Sequence, residues 1–265
     1  MTPAQPARIH LLPAAGAPVV VVIRRKPSKL FQIIRVDTLT GACEYGARFR
    51  GQLYPMRSDV SFDGNWFVYM ALNKDGVWNA VSRLPRLTAA VRSPNVGTYG
   101  GGGYWRSPDV LCMNCWGALG ELPFMTEPLF SHTTDDRGVL FPRLKRDGWR
   151  RRGDNWGRET QVQDRKTYNV VCTGDDGWER RPSPTHPALV MWYAGFLNGG
   201  FTFRFRVPEQ PDLLDDEVDW ANYDSRGQLV VARRGVVTIY RSQGGLRGRG
   251  RLHPARTLDF EDRSR

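Results

Sequence analysis

Two thiols three residues apart, at Cys112-Met113-Asn114-Cys115, are the arrangement best suited to inorganic chemistry, because a turn carrying such a pair can chelate zinc or form a reactive dithiol. Their setting predicts otherwise. Val110 to Trp116 reads as an inner strand, where alternation points Cys112 and Cys115 to opposite faces. A second Cys-x-x-Cys or a close His pair is missing, with His132 and Cys172 the nearest candidates. No metal and no cofactor are expected. Gly100 to Gly103 resembles a phosphate cradle, yet Tyr104-Trp105 follow where Lys-Ser/Thr would be needed, so the run predicts close backbone approach instead. The acid clusters Asp135-Asp136, Asp175-Asp176 and Asp215-Asp216-Glu217 fall in polar turns. His10, His132, His186 and His253 are placed in loops or at strand ends, with no nucleophile motif beside them. No catalytic residue is assigned.

Cationic residues are more informative. Among 265 residues, 38 basic against 27 acidic side chains give a formal charge of +11, and Lys is confined to positions 26, 29, 74, 145 and 166. This excess favours acidic partners. It clusters at Arg24-Arg25-Lys26-Pro27-Ser28-Lys29, at Arg233-Arg234, and between Arg143 and Arg158, where Trp149 and Trp156 are interleaved. The last stretch predicts outer strands on a solvated rim. Four cysteines are too few for a disulfide scaffold, and Met1 to Arg8 carries no secretory leader, so a cytoplasmic protein with reduced thiols is expected. The longest apolar run, Pro18 to Ile23, is stopped by Arg24, far short of the roughly 20 residues a membrane helix needs. A soluble chain without membrane insertion is expected.

The elements that must hold these residues are strands. Leu30 to Val36 and Thr202 to Val207 alternate at period two, while Asn65 to Ala71 and Gln228 to Ala232 are continuously apolar, as strands covered on both faces should be. Gly closes the turns at Asp37–Gly41, Asp63-Gly64, Asp75-Gly76, Asp147-Gly148, Asp176-Gly177 and Arg226-Gly227. Trp follows Asp-Gly at positions 78, 149 and 178, a weak internal repeat whose aromatic rings are expected in the core. No window supports an amphipathic helix, so the fold class is all-β.

Asp59-Val60-Ser61-Phe62-Asp63-Gly64-Asn65-Trp66-Phe67-Val68-Tyr69 resembles the strand-turn-strand core of WD40-like (PD40, TolB-type) β-propeller repeats, with Phe62 where the family usually has Pro. Asn222 to Ala232 is a poorer match. Pro27 to Phe31 and Tyr99 to Gly103 are similar to stretches of small bacterial propeller-type proteins. The resemblance implies one propeller domain over 1–265, with five four-stranded blades favoured over six. Spacing places them at 9–51, 52–95, 96–153, 154–208 and 209–262, with a flexible Arg/Gly loop from 244 to 251. Thr257 to Phe260 would close the ring, either within blade five or beside Ile9 to Leu12. Propeller connectivity then puts Arg24, Arg25, Lys26 and Lys29 on the same face as Arg233 and Arg234, in adjacent blades. The function that follows is a non-catalytic platform for a protein or other acidic macromolecule, nucleic acid being less favoured. A hydrolase with carboxylates at the central channel is the first alternative, and a sugar or small-molecule binder of lectin type the second.

Overall fold

Val19 to Ile23 is apolar at every position, and the strand it forms is buried on both faces, flanked by less hydrophobic neighbours. In this computed structural model, which describes residues 5–26, 28–95, 98, 100–115, 120–129, 136–152, 177–197, 200–243 and 250–261, the chain makes five sheets. The first takes β1 (Arg8–Pro13), β2 (Val19–Arg25), β3 (Leu30–Asp37) and β4 (Cys43–Arg50), antiparallel in chain order. Burial falls from β1–β3 to the exposed β4. The β3–β4 turn is set by Asp37, whose Oδ1 accepts the N–H groups of Leu39 and Thr40 before Gly41 at φ 77°.

The second sheet contains β5 (Gln52–Leu53), β6 (Asp59–Val60), β7 (Trp66–Asn73), β8 (Gly76–Arg83) and β9 (Ala89–Asn95). A 3₁₀ turn at Pro55–Arg57 splits its inner edge, so β5 and β6 both pair with β7. Ser61-Phe62-Asp63-Gly64 turns as its residue types dictate: Ser61 Oγ accepts from the Asn65 and Trp66 amides, and Gly64 takes φ 73°. The third sheet has β10 (Gly103–Ser107), β11 (Val110–Met113) and β12 (Met125–Pro128), the last parallel to β11. The fourth joins β13 (Trp149–Arg152), β14 (Gly177–Arg180), β15 (Leu189–Leu197) and β16 (Gly200–Arg206). The fifth joins β17 (Val218–Tyr223), β18 (Leu229–Arg233), β19 (Val236–Gln243) and β20 (Arg251–Asp259).

The innermost strands β1, β6, β10, β13 and β17 follow one another around an axis, and β17 returns to pack against β1. This is a five-bladed β-propeller. The C-terminal strand β20 pairs with β19, inside its own blade, and no strand pairing among the described residues joins the two ends of the chain. Side chains close the ring instead. Arg24 donates from Nε to the Phe260 carbonyl (2.5 Å), Ala7 N–H donates to Glu261 (2.7 Å), and Thr38 Oγ1 donates to Asp224 (2.6 Å). The largest core cluster runs across the same seam, from Ile9, Leu11, Val20 and Val22 to Trp220, Leu229 and Val231.

One element departs from the expectation of an all-strand chain: α1 (Arg137–Arg146) lies between the third and fourth sheets. Its Val139, Leu140 and Leu144 are buried, but so are Arg143 and Arg146, which makes the inward face look polar in sequence. Arg143 hooks the carbonyls of Pro55 and Ser58, while Arg146 pairs with Asp59 and Asp147 (2.7 Å) and donates to the Trp105 carbonyl (2.8 Å). Burial works against the Arg146 charge, but Asp147 and Asp59 outweigh it and hold its pKa above the ordinary value. Arg143 and Arg146 are therefore internal braces, not rim residues. Positions 153–158 and 244–249 lie outside the described residues.

Candidate functional site: the channel mouth between blades one and five

A cavity of about 760 Å³ opens at the N-terminal ends of β1 and β17. A smaller one, about 290 Å³, sits at the other ends of those strands, beside Pro13, Arg146, Arg180 and Asp224. The larger lies on the face that carries the predicted basic loops, and strand register explains its lining. Arg8 stands directly opposite Arg25, which stands opposite Phe31, so the three form one transverse row. His10 opposite Ile23 makes the next row inward. All five residues line the cavity, with Met56, Phe203 and Trp220 completing its apolar wall. The Arg25 guanidinium lies 5.6 Å from the centre of the Phe31 ring.

The six cations expected to form the site are distributed unequally. Arg24 is buried, its guanidinium bonded to the Phe260 and Glu261 carbonyls. Lys26 pairs with the Glu261 carboxylate. That carboxylate also reaches Gly235, where an added Cβ would meet its oxygen, so both loops converge on Glu261. Burial disfavours the Glu261 charge, but Lys26 and the Ala7 amide prevail and hold its pKa below the usual range. Arg233 pairs with Asp215 (3.3 Å) and Arg234, at φ 47°, with Glu217 (3.0 Å). Arg25 has the Ser28 carbonyl (2.6 Å) and Lys29 is exposed; neither has a carboxylate partner among the described residues. The two loops thus share a face and meet, but three of the six cations are paired with the chain's own carboxylates and a fourth, Arg24, is buried on backbone carbonyls.

Arg8 escaped the sequence reading. Nothing but the β1–β2 register puts it opposite Arg25, and that register depends on the length of the 14–18 turn. Burial, followed by the neighbouring Arg8 charge, lowers the Arg25 pKa.

His10 also differs from expectation, being a mid-strand residue and not a loop one. Its ring packs 4.0 Å from that of Trp220, its Nε2 is buried without a partner, and burial with the Arg143 charge pushes its pKa well below the ordinary value. Both causes favour its neutral form. Asp219, two residues from Glu217, is pushed up to about 6 by burial, against the opposing influence of the Ile9 and Arg234 amides and the Arg8 charge; its Oδ2 is buried and unpartnered. Asp215, Asp216 and Glu217 are each held by an arginine, Arg233, Arg204 and Arg234 respectively.

The other candidates resolve as packing. Cys112 joins Tyr104, Val110 and Val139, whereas Cys115 packs against the cluster of Trp105, Leu111 and Met113. The strand holding Cys112 is the second of its blade, not the inner one, and ends at Met113. Gly102 does mark a close approach: an added Cβ would overlap the Arg57 carbonyl, and its amide donates to Asn79 Oδ1 (2.7 Å). Trp78, Trp149 and Trp178 are all buried, so none offers a ring to a sugar. Asp135, Asp175, Asp176, His132 and Cys172 lie outside the described residues. No helix of the described residues is long and apolar enough to cross a membrane.

No family model and no curated protein matches the chain. Among solved structures it is similar to the β-propeller domain of the Trilobed protease from Pyrococcus furiosus, at 10% identity and TM-score 0.32 over 97% of this chain and 86% of that one. It is also similar to an uncharacterized protein from Listeria monocytogenes EGD-e, at 9% identity and TM-score 0.30 over 95% and 84%. At these scores the likenesses add nothing to the sheet order and ring closure of the chain itself, which establish a five-bladed propeller.

Proposed function

We propose that the protein is a non-catalytic binding platform that receives an acidic macromolecular partner at the channel mouth shared by blades one and five. The observation that carries this reading is the convergence of the 24–29 and 233–235 loops on Glu261, with Arg8 and Arg25 lining the large cavity, Lys29 exposed on the same hairpin as Arg25, and none of the three ion-paired to a carboxylate among the described residues. A rigid ring presenting cations from separate blades fits electrostatic capture better than turnover. Asp219 is the one observation favouring a hydrolase, since a carboxyl raised to about 6 is suited to proton transfer. Its free oxygen is buried, however, and a general acid must reach the atom it protonates.

A fluorescent oligoglutamate peptide serves as a probe of the mouth. Arg25→Glu and Lys29→Glu should each weaken its binding several-fold and flatten the salt dependence, because screening acts over about 10 Å at 0.1 M salt. Arg151→Glu, on β13 of blade four, should leave binding unchanged. Equal loss in all three variants, or in none, refutes the platform.

A further inference from the structure

We propose that the acidic partner is an extended polypeptide segment, and that it runs from the channel mouth to the boundary between blades one and two, where Lys29, Arg50 and Lys74 form a cationic ridge. This inference rests on the mouth being the functional face, and adds to it a direction and a class of partner. Main-chain contacts between three turns assemble the ridge. Leu30, next to Lys29, stands opposite Arg50 in the β3–β4 register, and the Gly51 amide donates to the Lys29 carbonyl (2.9 Å). An added Cβ on Gly51 would overlap the Leu72 carbonyl, and Gln52 pairs with Leu72, which brings the β7–β8 turn carrying Lys74 to the same edge. Neighbours along this path are one or two strand spacings apart, about 5–10 Å.

All three cations are exposed, and none is ion-paired to a carboxylate among the described residues. The backbone that presents Lys29 is already held: Arg25 Nε donates to the Ser28 carbonyl (2.6 Å), and the Lys26 amide donates to the Leu30 carbonyl (3.0 Å). Binding therefore costs little ordering there. One acid, Asp75, stands on the same three turns; its Oδ2 accepts from Asn73 Nδ2 (3.1 Å), and it opposes an acidic ligand. An extended polypeptide places alternate side chains on one face about 7 Å apart, a spacing that lets successive carboxylates meet successive ridge cations. Single-stranded nucleic acid is held by stacking its bases on aromatic side chains. The exposed large hydrophobic residues are Leu39, Tyr45 and Met125, and none lies on these turns, so the ridge offers charge without a stacking surface.

Fluorescence anisotropy of the full chain with labelled decaglutamate, triglutamate and a thymidine decanucleotide, at about 50 mM salt, tests this. Decaglutamate should bind tightest. Arg50→Glu and Lys74→Glu should each weaken it about three- to tenfold, whereas Arg226→Glu, in the β17–β18 turn on the opposite face, should leave it within about twofold. Asp75→Asn should act in the other direction and tighten it. These side chains are exposed, so each variant should melt within about 2 °C of wild type. Triglutamate is too short to touch the mouth and the ridge together, and Lys74→Glu should affect it less than decaglutamate. Weakening in Lys29→Glu with none in Arg50→Glu and Lys74→Glu overturns the ridge and leaves the platform standing. Weakening in Arg50→Glu and Lys74→Glu with none in Arg25→Glu removes the mouth from the platform and leaves the ridge. Tighter binding of the oligonucleotide than of decaglutamate overturns the polypeptide as the partner, as does equal loss in Arg226→Glu.

Discussion

Replacing Asp219 with Asn should change how stability depends on pH, with a sign that follows from the burial of this carboxyl. In the unfolded chain the group loses its proton near its ordinary value of 3.8; in the propeller it retains it up to about 6. Between those values the folded state binds more protons than the unfolded one, so this residue makes stability fall as pH rises from about 4 to about 6, and adds no slope above. At about 1.4 kcal/mol per pH unit the interval is worth at most about 3 kcal/mol. Asn cannot titrate. The variant starts at an offset, because its amide nitrogen inherits the unpartnered position of Oδ2, but the offset is independent of pH. The difference in unfolding free energy, variant minus wild type, should therefore rise by up to about 3 kcal/mol between about pH 3.5 and about pH 7. Urea unfolding followed by the fluorescence of the nine Trp residues measures it, and the other titrating groups cancel in the difference. A flat difference, or one that falls with pH, refutes the assignment of a desolvated carboxyl at the mouth. Arg8→Gln, which removes a charge that favours the ionised form, should extend the pH interval over which stability falls to higher pH.

Other perturbations probe the frame and the mouth separately. Arg146→Gln leaves Asp59 buried without its partner and should cost about 3–5 kcal/mol in chemical denaturation; a loss below about 1 kcal/mol would show that α1 does not brace blades two and three. Gly46→Ala drives a Cβ into the Pro85 carbonyl of the next blade and should destabilise by about 1–3 kcal/mol, with an unchanged midpoint contradicting that contact. Glu261→Gln frees Lys26 and removes one negative charge from the mouth, so it should tighten oligoglutamate several-fold while lowering stability by no more than about 1 kcal/mol. Weaker peptide binding in that variant would place the acidic probe elsewhere.

The strands were legible because their periodicity and turn residues agree: Val19 to Ile23 had to be covered on both sides, and Asp37–Gly41 and Ser61–Gly64 encode their own turns. Helix α1 was not, because its inward face includes Arg143 and Arg146, and only tertiary structure shows that Asp59, Asp147 and three carbonyls await them. The Arg24–Lys29 and Arg233–Arg234 loops were locatable through propeller connectivity. Their neutralisation by Glu261, Asp215 and Glu217 depends on contacts as far as 235 residues apart in the chain, and no local pattern encodes these. The same limit hid Arg8, whose opposition to Arg25 is a matter of register, and the burial of His10 against a Trp from the other end of the chain.

Recognition at the mouth is tested most directly by locating where an acidic partner touches the ring. A photo-crosslinking residue placed at position 29, on the β2–β3 hairpin whose Arg25 lines the mouth, or at position 151, on blade four, reports this when oligoglutamate carrying a fluorophore is added and irradiated. The prediction is an adduct at position 29 that disappears in about 0.5 M salt, where the Debye length shrinks to about 4 Å, with no adduct at position 151. An adduct at 151 with none at 29, or one at 29 that survives the salt, contradicts recognition by the cations of the channel mouth.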